Sequence, residues 1–232
     1  MNIVITGASK GIGKAIAVAF AKQGHQILIC SRNEMELYAL VGELMEKFPD
    51  ASVKAHATDL SKKESTKAFA EWCLKFGTPD ILINNAGQFI PGSIHDEEDG
   101  TLDQMLSVNL YSAYHLTRAL LPSMIVAKCG QIFNICSIAS LNAYPNGGSY
   151  GISKYALLGF SKNLREELKP LGIKVTAVCP GATLSSSWDG FDIDPKRIME
   201  CDDIAKMVYA ASQLSAQAVV EDIVLRPQLG DL

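Results

Sequence analysis

The feature that most constrains this chain is a glycine-rich turn directly after its first apolar run. Residues 2–5 can form a buried strand, and Gly7, Gly11 and Gly13 then precede an apolar helical pattern that continues to Gly24. A strand, a glycine turn and a helix in this order place backbone N–H groups and the positive end of the helix dipole at one point, which suits a pyrophosphate. The spacing is Gly-x-x-x-Gly-x-Gly rather than Gly-x-Gly-x-x-Gly, so an ordinary glycine turn is the alternative. The prediction is a dinucleotide site formed by Gly7, Ser9, Lys10, Gly11, Ile12 and Gly13.

The second predicted strand ends in a cationic rather than an acidic residue. Residues 26–30 are followed by Ser31 and Arg32, where an NAD site usually carries a carboxylate for the ribose 2′-hydroxyl. Arg32 and Lys10 suit a 2′-phosphate instead, because guanidinium and phosphate match in charge and geometry. The alternative is that Arg32 only ends a strand in solvent. The pattern therefore favours NADP(H) over NAD(H).

Segments of strand length, most of them apolar, alternate with helical patterns along the whole chain. Strands are predicted at residues 2–5, 26–30, 52–57, 80–83, 131–135, 173–178 and 223–225, with helices between them. Such alternation is typical of βαβ crossovers. The sequence predicts an α/β fold with a Rossmann-type, doubly wound parallel sheet of about seven strands and helices on both faces. It forms one domain over residues 1–232, with a short substrate lid around residues 184–200.

Small and polar residues follow two further predicted strands. Asp59 and Leu60 come after the third strand, where they can contact an adenine, and a helix cap is the alternative for Asp59. Asn84, Ala86 and Gly87 come at the end of the fourth strand. Because the carboxyl ends of parallel strands share one edge of the sheet, all of these residues are predicted to line the same ligand crevice.

The composition gives no sign of a nucleic-acid or membrane partner. The net charge is −4, and no run of Lys or Arg suggests a nucleic-acid surface. No apolar run approaches the length of a membrane span. Because Met1 leads directly into the first strand, no targeting segment is expected. The six scattered cysteines contain no C-x-x-C and are predicted to be reduced thiols in a cytoplasmic protein. The four histidines show no metal-ligand spacing, so no metal is expected.

Tyr150 and Lys154 lie four residues apart in a segment predicted to be helical from residue 149 to about residue 168. Side chains at this spacing share one helix face. An ammonium group beside a phenol favours the phenolate, so Lys154 is expected to lower the pKa of Tyr150 and make it a usable general acid near neutral pH. A solvated helix face is the alternative, because this spacing also occurs by chance.

Several motifs in a fixed order resemble the short-chain dehydrogenases/reductases over essentially the whole chain. They are Thr6-Gly7-x-x-x-Gly11-x-Gly13, Asn84-Asn85-Ala86-Gly87, Asn109, Ser137, Tyr150-x-x-x-Lys154 and Pro180-Gly181. Each motif is modest alone, but their joint order and spacing are specific. Within the family, Ser31-Arg32 and the tail at residues 219–227 look similar to bacterial sepiapterin-reductase-like members, and the motif set is equally similar to 3-oxoacyl-carrier-protein reductases.

The resemblance implies an oxidoreductase in which the cofactor supplies a hydride and the protein supplies orientation and a proton. Tyr150 resembles the general acid that protonates the carbonyl oxygen, and Lys154 resembles the residue that holds the nicotinamide ribose. Ser137 looks like the hydroxyl that polarises the substrate carbonyl, with a helix cap as the alternative. Asn109 looks like a helix residue whose distorted backbone holds a proton-relay water, with a buried hydrogen-bonded amide as the alternative.

The segment after the sixth predicted strand departs from the family pattern. Where many members have Pro-Gly-x-Val/Ile-x-Thr, this chain has Pro180-Gly181-Ala182-Thr183-Leu184-Ser185. Thr183 can still offer its backbone to the carboxamide of the cofactor, so Pro180, Gly181 and Thr183 remain predicted cofactor contacts. The stretch from residue 184 to residue 202 is short, which indicates a reduced or open lid.

The predicted substrate pocket is apolar and aromatic, with few charges. Its members are Phe89 and Ile90, Ile138 and Ala139, Tyr144 and Asn146, and Trp188 and Phe191 in the lid. This set suits an uncharged ketone, a diketone or a flat heterocycle with a carbonyl side chain better than a carboxylate. The alternative is that half of these residues only pack the lid.

The sequence thus predicts an NADPH-dependent carbonyl reductase or alcohol dehydrogenase with Tyr150 as the acid/base group and a small-molecule carbonyl substrate. A 3-oxoacyl-carrier-protein reductase or a sepiapterin reductase is the more specific alternative. A non-catalytic NADP(H)-binding regulatory protein is an alternative of another class, and the intact Ser137, Tyr150 and Lys154 argue against it. The resemblance also implies a homodimer or homotetramer, formed through the long helices containing Asn109 and Tyr150 and through the C-terminal strand.

Overall fold

The structure, a computed structural model, describes residues 1–185 and 194–231 and contains one parallel sheet. Its strands are β1 (Asn2–Thr6), β2 (Gln26–Ser31), β3 (Ser52–Ala57), β4 (Ile81–Asn84), β5 (Gly130–Ile135), β6 (Ile173–Pro180) and β7 (Asp222–Leu225). They lie in the order β3-β2-β1-β4-β5-β6-β7, and all neighbours pair in parallel. The predicted doubly wound, seven-stranded Rossmann-type sheet is therefore confirmed.

Helices cover both faces of this sheet. They are α1 (Gly11–Ala21), α2 (Glu34–Lys47), α3 (Lys63–Leu74), α4 (Thr101–Leu106), α5 (Ser112–Ala127), α6 (Gly148–Leu168) and α7 (Cys201–Ser212). Apolar residues of α1, α2 and α7 pack with β1 and β2 on one face, and those of α3, α5 and α6 pack with Val4, Leu82 and Ile132 on the other. A sheet buried on both faces requires continuous apolar strands, and every residue of β1 is buried.

The strand order reverses between β1 and β4, and this reversal positions the ligand crevice. From β1 the sheet runs outward to β2 and β3 on one side, and through β4 to β7 on the other. Connections that leave the sheet in opposite directions at this point open a crevice beyond the carboxyl ends of β1 and β4. The glycine turn, residues 84–87 and the end of β5 all lie at this edge.

The predicted lid around residues 184–200 falls largely on residues 186–193, which lie outside the described residues. Its two described ends meet, because Thr183 forms a parallel bridge with Met199 and Leu184 N donates to Met199 O at 2.7 Å. Among the described residues there is no helix long and apolar enough to cross a membrane and no cluster of His, Cys, Asp or Glu that could hold a metal ion. All six cysteines are free thiols.

Candidate active site

A cleft of about 770 Å³ lies at the carboxyl edge of the sheet. Most of the predicted site residues line it. From the glycine turn, β2 and β3 these are Gly7, Ser9, Lys10, Gly11, Ile12, Ser31, Arg32, Asp59 and Leu60. From the later elements they are Ala86, Gly87, Phe89, Ser137, Ile138, Tyr144, Tyr150, Lys154, Pro180, Gly181 and Thr183. Gly13, Asn84 and Asn109 lie behind the cleft wall, while Trp188 and Phe191 lie outside the described residues.

The glycine turn needs its glycines for two different reasons. Gly7 and Gly11 have φ of +62° and +59°, which side chains rarely tolerate. Gly13 has no room for a side chain, because an added Cβ would lie 2.3 Å from the carbonyl oxygen of Gly7 and 2.5 Å from Nδ2 of Asn85. Asn85 Nδ2 in turn donates to the carbonyls of Thr6 and Gly7, both at 2.9 Å. Asn85, which was not among the predicted site residues, therefore ties the turn to the end of β4.

Asn84 differs from the prediction that it contacts the cofactor. Its side chain is buried and donates to Thr117 Oγ1 at 3.0 Å and to Asn134 Oδ1 at 2.8 Å, behind the cleft. Successive strand residues point to opposite faces, so Asn85 rather than Asn84 faces the glycine turn. Asn84 joins β4 to α5 and β5 and acts on the cleft only through these contacts.

Cationic and polar groups gather at the end of the cleft near β2 and β3. Arg32 and Lys10 are exposed there, and Ser31 Oγ donates to the carbonyl of Asn33 at 3.2 Å. Asp59 accepts from the hydroxyl of Ser61 at 2.7 Å, and this hydrogen bond is the main cause that lowers the pKa of Asp59. Asp59 thus caps a turn and also lines the cleft. The positive charge of Arg32 is a further, smaller cause that lowers the pKa of Asp59. Glu36, which the sequence did not predict as a site residue, also lines this end of the cleft and accepts from Ser9 Oγ at 3.3 Å.

Ser137, Tyr150 and Lys154 meet at the centre of the cleft. Ser137 caps a short 3₁₀ turn by accepting from Ala139 N at 3.1 Å, and it also lines the cleft. The two alternatives given for this residue are therefore both present. A hydroxyl has one donor and two acceptor sites, so this cap leaves its O–H for another partner. Lys154 is buried, donates to the carbonyl of Ile135 at 2.8 Å, and lies 5.8 Å from the ring centre of Tyr150.

The pKa of Tyr150 differs from the expectation. Burial raises the pKa of Tyr150, and its hydrogen bond with Ser137 opposes that rise. Burial also lowers the pKa of Lys154, whose ammonium group points to a backbone carbonyl. Desolvation disfavours both charged forms. The phenol is therefore held in its protonated form, and Ser137 rather than Lys154 is the group that moves its pKa downward.

Asn109 lies in a π-helical turn, Ser107–Tyr111, between α4 and α5. Its side chain accepts from Gln88 N at 2.7 Å and donates to Gln88 O at 3.0 Å and to Ser153 Oγ at 2.8 Å. The helix distortion expected at this residue is present, and the alternative of a buried, hydrogen-bonded amide is present with it. Asn109 thus joins the loop after β4 to helix α6, immediately behind Lys154.

The start of α6 is held by Glu97, which the sequence reasoning missed. The Glu97 carboxylate accepts from Ser149 N at 2.7 Å and also from Ser149 Oγ. Beside it, Ser93 Oγ donates to Asn146 Oδ1 at 2.7 Å. A carboxylate at a helix N-terminus satisfies free N–H groups and interacts favourably with the dipole. Phe89 of the same loop packs edge-to-face on Tyr150, with ring centres 4.8 Å apart.

The cleft end beyond Ser137 is more polar than predicted. Ile90 and Asn146 do not line it, whereas Asn142, Arg226 and Asp231 do. Arg226 Nη1 forms an ion pair with Asp231, and the Asn142 amide, oriented by its neighbours, accepts from Arg226 Nη2 at 3.0 Å. The expectation of a pocket with few charges is therefore wrong at this end, because the C-terminal tail folds back beside β6.

Comparisons with known proteins agree with this geometry. The family model described as short chain dehydrogenase matches residues 1–193. An uncharacterized oxidoreductase of Staphylococcus aureus (strain MRSA252) is 31% identical over 225 residues, which cover 97% of this chain and 96% of that protein.

Solved structures match over nearly the whole chain. The alcohol dehydrogenase of the archaeon Thermococcus sibiricus, complexed with 5-hydroxy-NADP, has a TM-score of 0.91 and 28% identity, covering 97% of this chain and 96% of that one. A metagenomic short-chain oxidoreductase in complex with NADP has a TM-score of 0.85 and 33% identity, covering 98% and 97%. The L-sorbose reductase of Gluconobacter frateurii, complexed with NADPH and L-sorbose, has a TM-score of 0.88 and 29% identity, covering 96% and 94%.

Proposed function

The chain belongs to the short-chain dehydrogenase family, and within that family we propose that it is a carbonyl reductase or alcohol dehydrogenase with Tyr150 as its acid/base group. It is an NADP-dependent oxidoreductase. One observation carries the finer proposal: Ser137, Tyr150 and Lys154 converge in the same cleft as the glycine turn. A dehydrogenase needs a dinucleotide-binding site and a proton donor in the same crevice.

The cofactor is NADP(H) in preference to NAD(H). The glycine turn and the start of α1 fit a pyrophosphate, because a helix N-terminus offers free backbone N–H groups to an anion. The absent Cβ at Gly13 lets the turn pack closely on itself and on Asn85. Arg32 and Lys10 fit a 2′-phosphate at the adenosine end, and Asp59 and Leu60 line the wall there. Solved structures of the family carry NADP or NADPH, which supports the same choice. When bound, this cofactor donates or accepts the hydride.

The protein's own contribution is a positioned proton donor. The raised pKa of Tyr150 keeps its phenol protonated at neutral pH, so it can protonate a carbonyl oxygen during reduction. Ser137, whose oxygen is oriented by the cap to Ala139, would hydrogen-bond the same carbonyl and orient it. Lys154 would bind the ribose hydroxyls of the cofactor, and Asn109 fixes the helix behind it through Ser153. Phe89, Ile138 and Tyr144 would line the substrate end.

The same proposal extends to organisation and location. We propose one functional domain over residues 1–232 and self-association as a homodimer or homotetramer. Exposed apolar residues of α5 and α6, among them Tyr114, Ile152 and Tyr155, support an interface on these helices. Free thiols suit a reducing compartment, which supports a cytoplasmic enzyme.

A carbonyl panel tests this function. Purified protein with NADPH is given diketones, acetoacetyl thioesters, sepiapterin and simple ketones, and NADPH oxidation is followed by absorbance. The proposal predicts turnover of at least one carbonyl class, with lower turnover when NADH replaces NADPH. Tight NADPH binding with no oxidation across the panel would favour the non-catalytic alternative. The order of rates among thioesters, sepiapterin and ketones decides between the subfamilies.

A further inference from the structure

We propose that Asn142, Arg226 and Asp231 form a subsite for the hydroxyl groups of a polyhydroxylated ketone or the corresponding polyol, a sugar-type substrate. This inference rests on the proposed function, since it names the substrate class of the same cleft. The three residues, which we call the tail subsite, share the cleft with Ser137 and Tyr150. Hydride transfer and the proton step assigned to Tyr150 do not need a charged pair at this position, and we therefore assign the pair to a polar group of the substrate.

The tail subsite is solvent-exposed, but hydrogen bonds hold its backbone in place. Arg197 donates to the backbone carbonyls of Leu229 at 3.3 Å, Gly230 at 2.9 Å and Asp231 at 3.1 Å. These bonds fix the backbone of the tail, and the Asp231 side chain then pairs with Arg226. Groups whose geometry is fixed before a ligand arrives bind it at a lower entropic cost.

The tail subsite lies next to the catalytic strands. The last residue of β7, Leu225, pairs with Pro180 of β6, and Arg226 follows it directly. An added Cβ on Gly181 would lie 3.1 Å from Asp231 Oδ1, so the carboxylate sits against the turn that ends β6. Asn142 follows the 3₁₀ turn, Ile138–Ser140, that Ser137 caps. A small ketone bonded to Ser137 and Tyr150 would therefore extend towards these groups.

The charges of the tail subsite favour hydroxyl groups over a carboxylate. Arg226 presents only donors and Asp231 only acceptors, while Asn142 offers both. A hydroxyl group can accept from the guanidinium and donate to the carboxylate at once. The Asp231 carboxylate already pairs with the Arg226 guanidinium. A substrate carboxylate bound to the same guanidinium would lie close to Asp231, and the two negative charges would repel each other. Phe89 and Tyr144 add aromatic faces to the same cleft, which suit the C–H edges of such a molecule.

Matched substrates test the proposal. Erythrulose, 2-butanone and acetoacetate are compared as substrates, with NADPH as the reductant. All three have four carbons and a ketone, but erythrulose carries hydroxyl groups, acetoacetate carries a carboxylate, and 2-butanone carries neither. For Arg226→Ala and Asp231→Ala we expect kcat/KM for erythrulose to fall at least about tenfold, mainly through KM, because the site loses hydrogen bonds to substrate hydroxyls. The value for 2-butanone should stay within about twofold. Lys206→Ala, which removes an exposed cation of α7 paired with Asp202 and Asp203, is the control and should change neither.

Two outcomes would overturn the proposal. One is an equal loss for erythrulose and 2-butanone in both variants, and the other is a preference for acetoacetate that Arg226→Ala removes. If no ketone oxidises NADPH, the proposed function fails, and the subsite is then decided by calorimetry of threitol binding to the NADP⁺ complex. Threitol binding that is lost in Arg226→Ala would uphold the subsite, and binding unchanged by that variant would refute it.

Discussion

Removing the Glu97 carboxylate should weaken both the fold and the catalytic step. In the structure this carboxylate accepts two hydrogen bonds from Ser149, through the backbone N–H at 2.7 Å and through the hydroxyl. Ser149 is buried and directly precedes Tyr150. Hydrogen bonds to a charged group contribute about 1.5–3 kcal/mol each when buried, and losing a helix cap costs about 0.5–2 kcal/mol. Because Glu97 is itself only half-buried, we expect Glu97→Ala to lower the free energy of unfolding by about 1–3 kcal/mol.

The assay is urea unfolding combined with steady-state kinetics. Glu98→Ala, the neighbouring exposed glutamate, is the matched control and should stay within about 0.5 kcal/mol of wild type. Ser149→Ala removes only the hydroxyl bond, so a double-mutant cycle with Glu97→Ala should give a coupling energy of about 1–2 kcal/mol. A loosened helix start should also lower kcat, by about tenfold for each 1.4 kcal/mol lost in the transition state. A Glu97→Ala protein as stable and as active as Glu98→Ala, with no coupling to Ser149, would refute this role for Glu97.

Three further predictions follow from the cleft. Gly13→Ala should abolish NADPH binding and destabilise the fold, since its Cβ would lie 2.3 Å from a carbonyl oxygen. The control is Gly42→Ala, whose Cβ would have nothing within 4 Å; it should leave NADPH affinity unchanged in titrations and keep or raise the melting temperature. Ser137→Ala removes a bond that lowers the pKa of Tyr150, so the alkaline fall of the reduction rate should move to higher pH, while Ser137→Thr should keep the wild-type profile. Arg32→Asp should shift the ratio of kcat/KM values towards NADH, and an unchanged ratio would mean that the 2′-phosphate site lies elsewhere.

The fold was predictable because its signals are local. Most strands of the parallel sheet are short apolar runs, with β3 the exception, and each begins or ends at a glycine, a proline or a polar residue close to the observed bounds. The order of these runs fixes a doubly wound sheet, and the order of the motifs brings Ser137, Tyr150 and Lys154 to one edge. The distortion at Asn109 was expected from the resemblance alone, and the structure has a π-helical turn there.

The parts that could not be predicted depend on contacts between distant residues. Whether Asn84 or Asn85 faces the glycine turn depends on which side of β4 each occupies, and a shift of one residue reverses that choice. Glu97 meets Ser149 across 52 positions of sequence, and the loop between β4 and α4 that carries Glu97 gives no periodic signal. Arg226 and Asp231 reach the cleft only because the tail folds back beside β6.

The direction of the Tyr150 pKa shift also could not be predicted from the sequence, because it depends on burial in the folded protein. From sequence, the neighbouring Lys154 predicts a lowered value. Burial is a property of the assembled cleft, and it raises the pKa of Tyr150 and lowers that of Lys154; the group that opposes the rise at Tyr150 is Ser137. The raised value also means that the neutral phenol stabilises the fold below the ordinary tyrosine pKa, and that this contribution is lost as the pH rises through the folded pKa.

The most direct measurement of the central claim compares Tyr150→Phe with wild type in two assays on the same preparation. The substitution removes only the phenolic oxygen, and the ring can keep its edge-to-face contact with Phe89. We predict that NADPH oxidation with the best carbonyl substrate falls at least about 100-fold, because a positioned proton donor contributes about that much or more, while NADPH binding measured by fluorescence stays near wild type. A Tyr150→Phe enzyme that reduces the carbonyl at close to the wild-type rate would contradict the account.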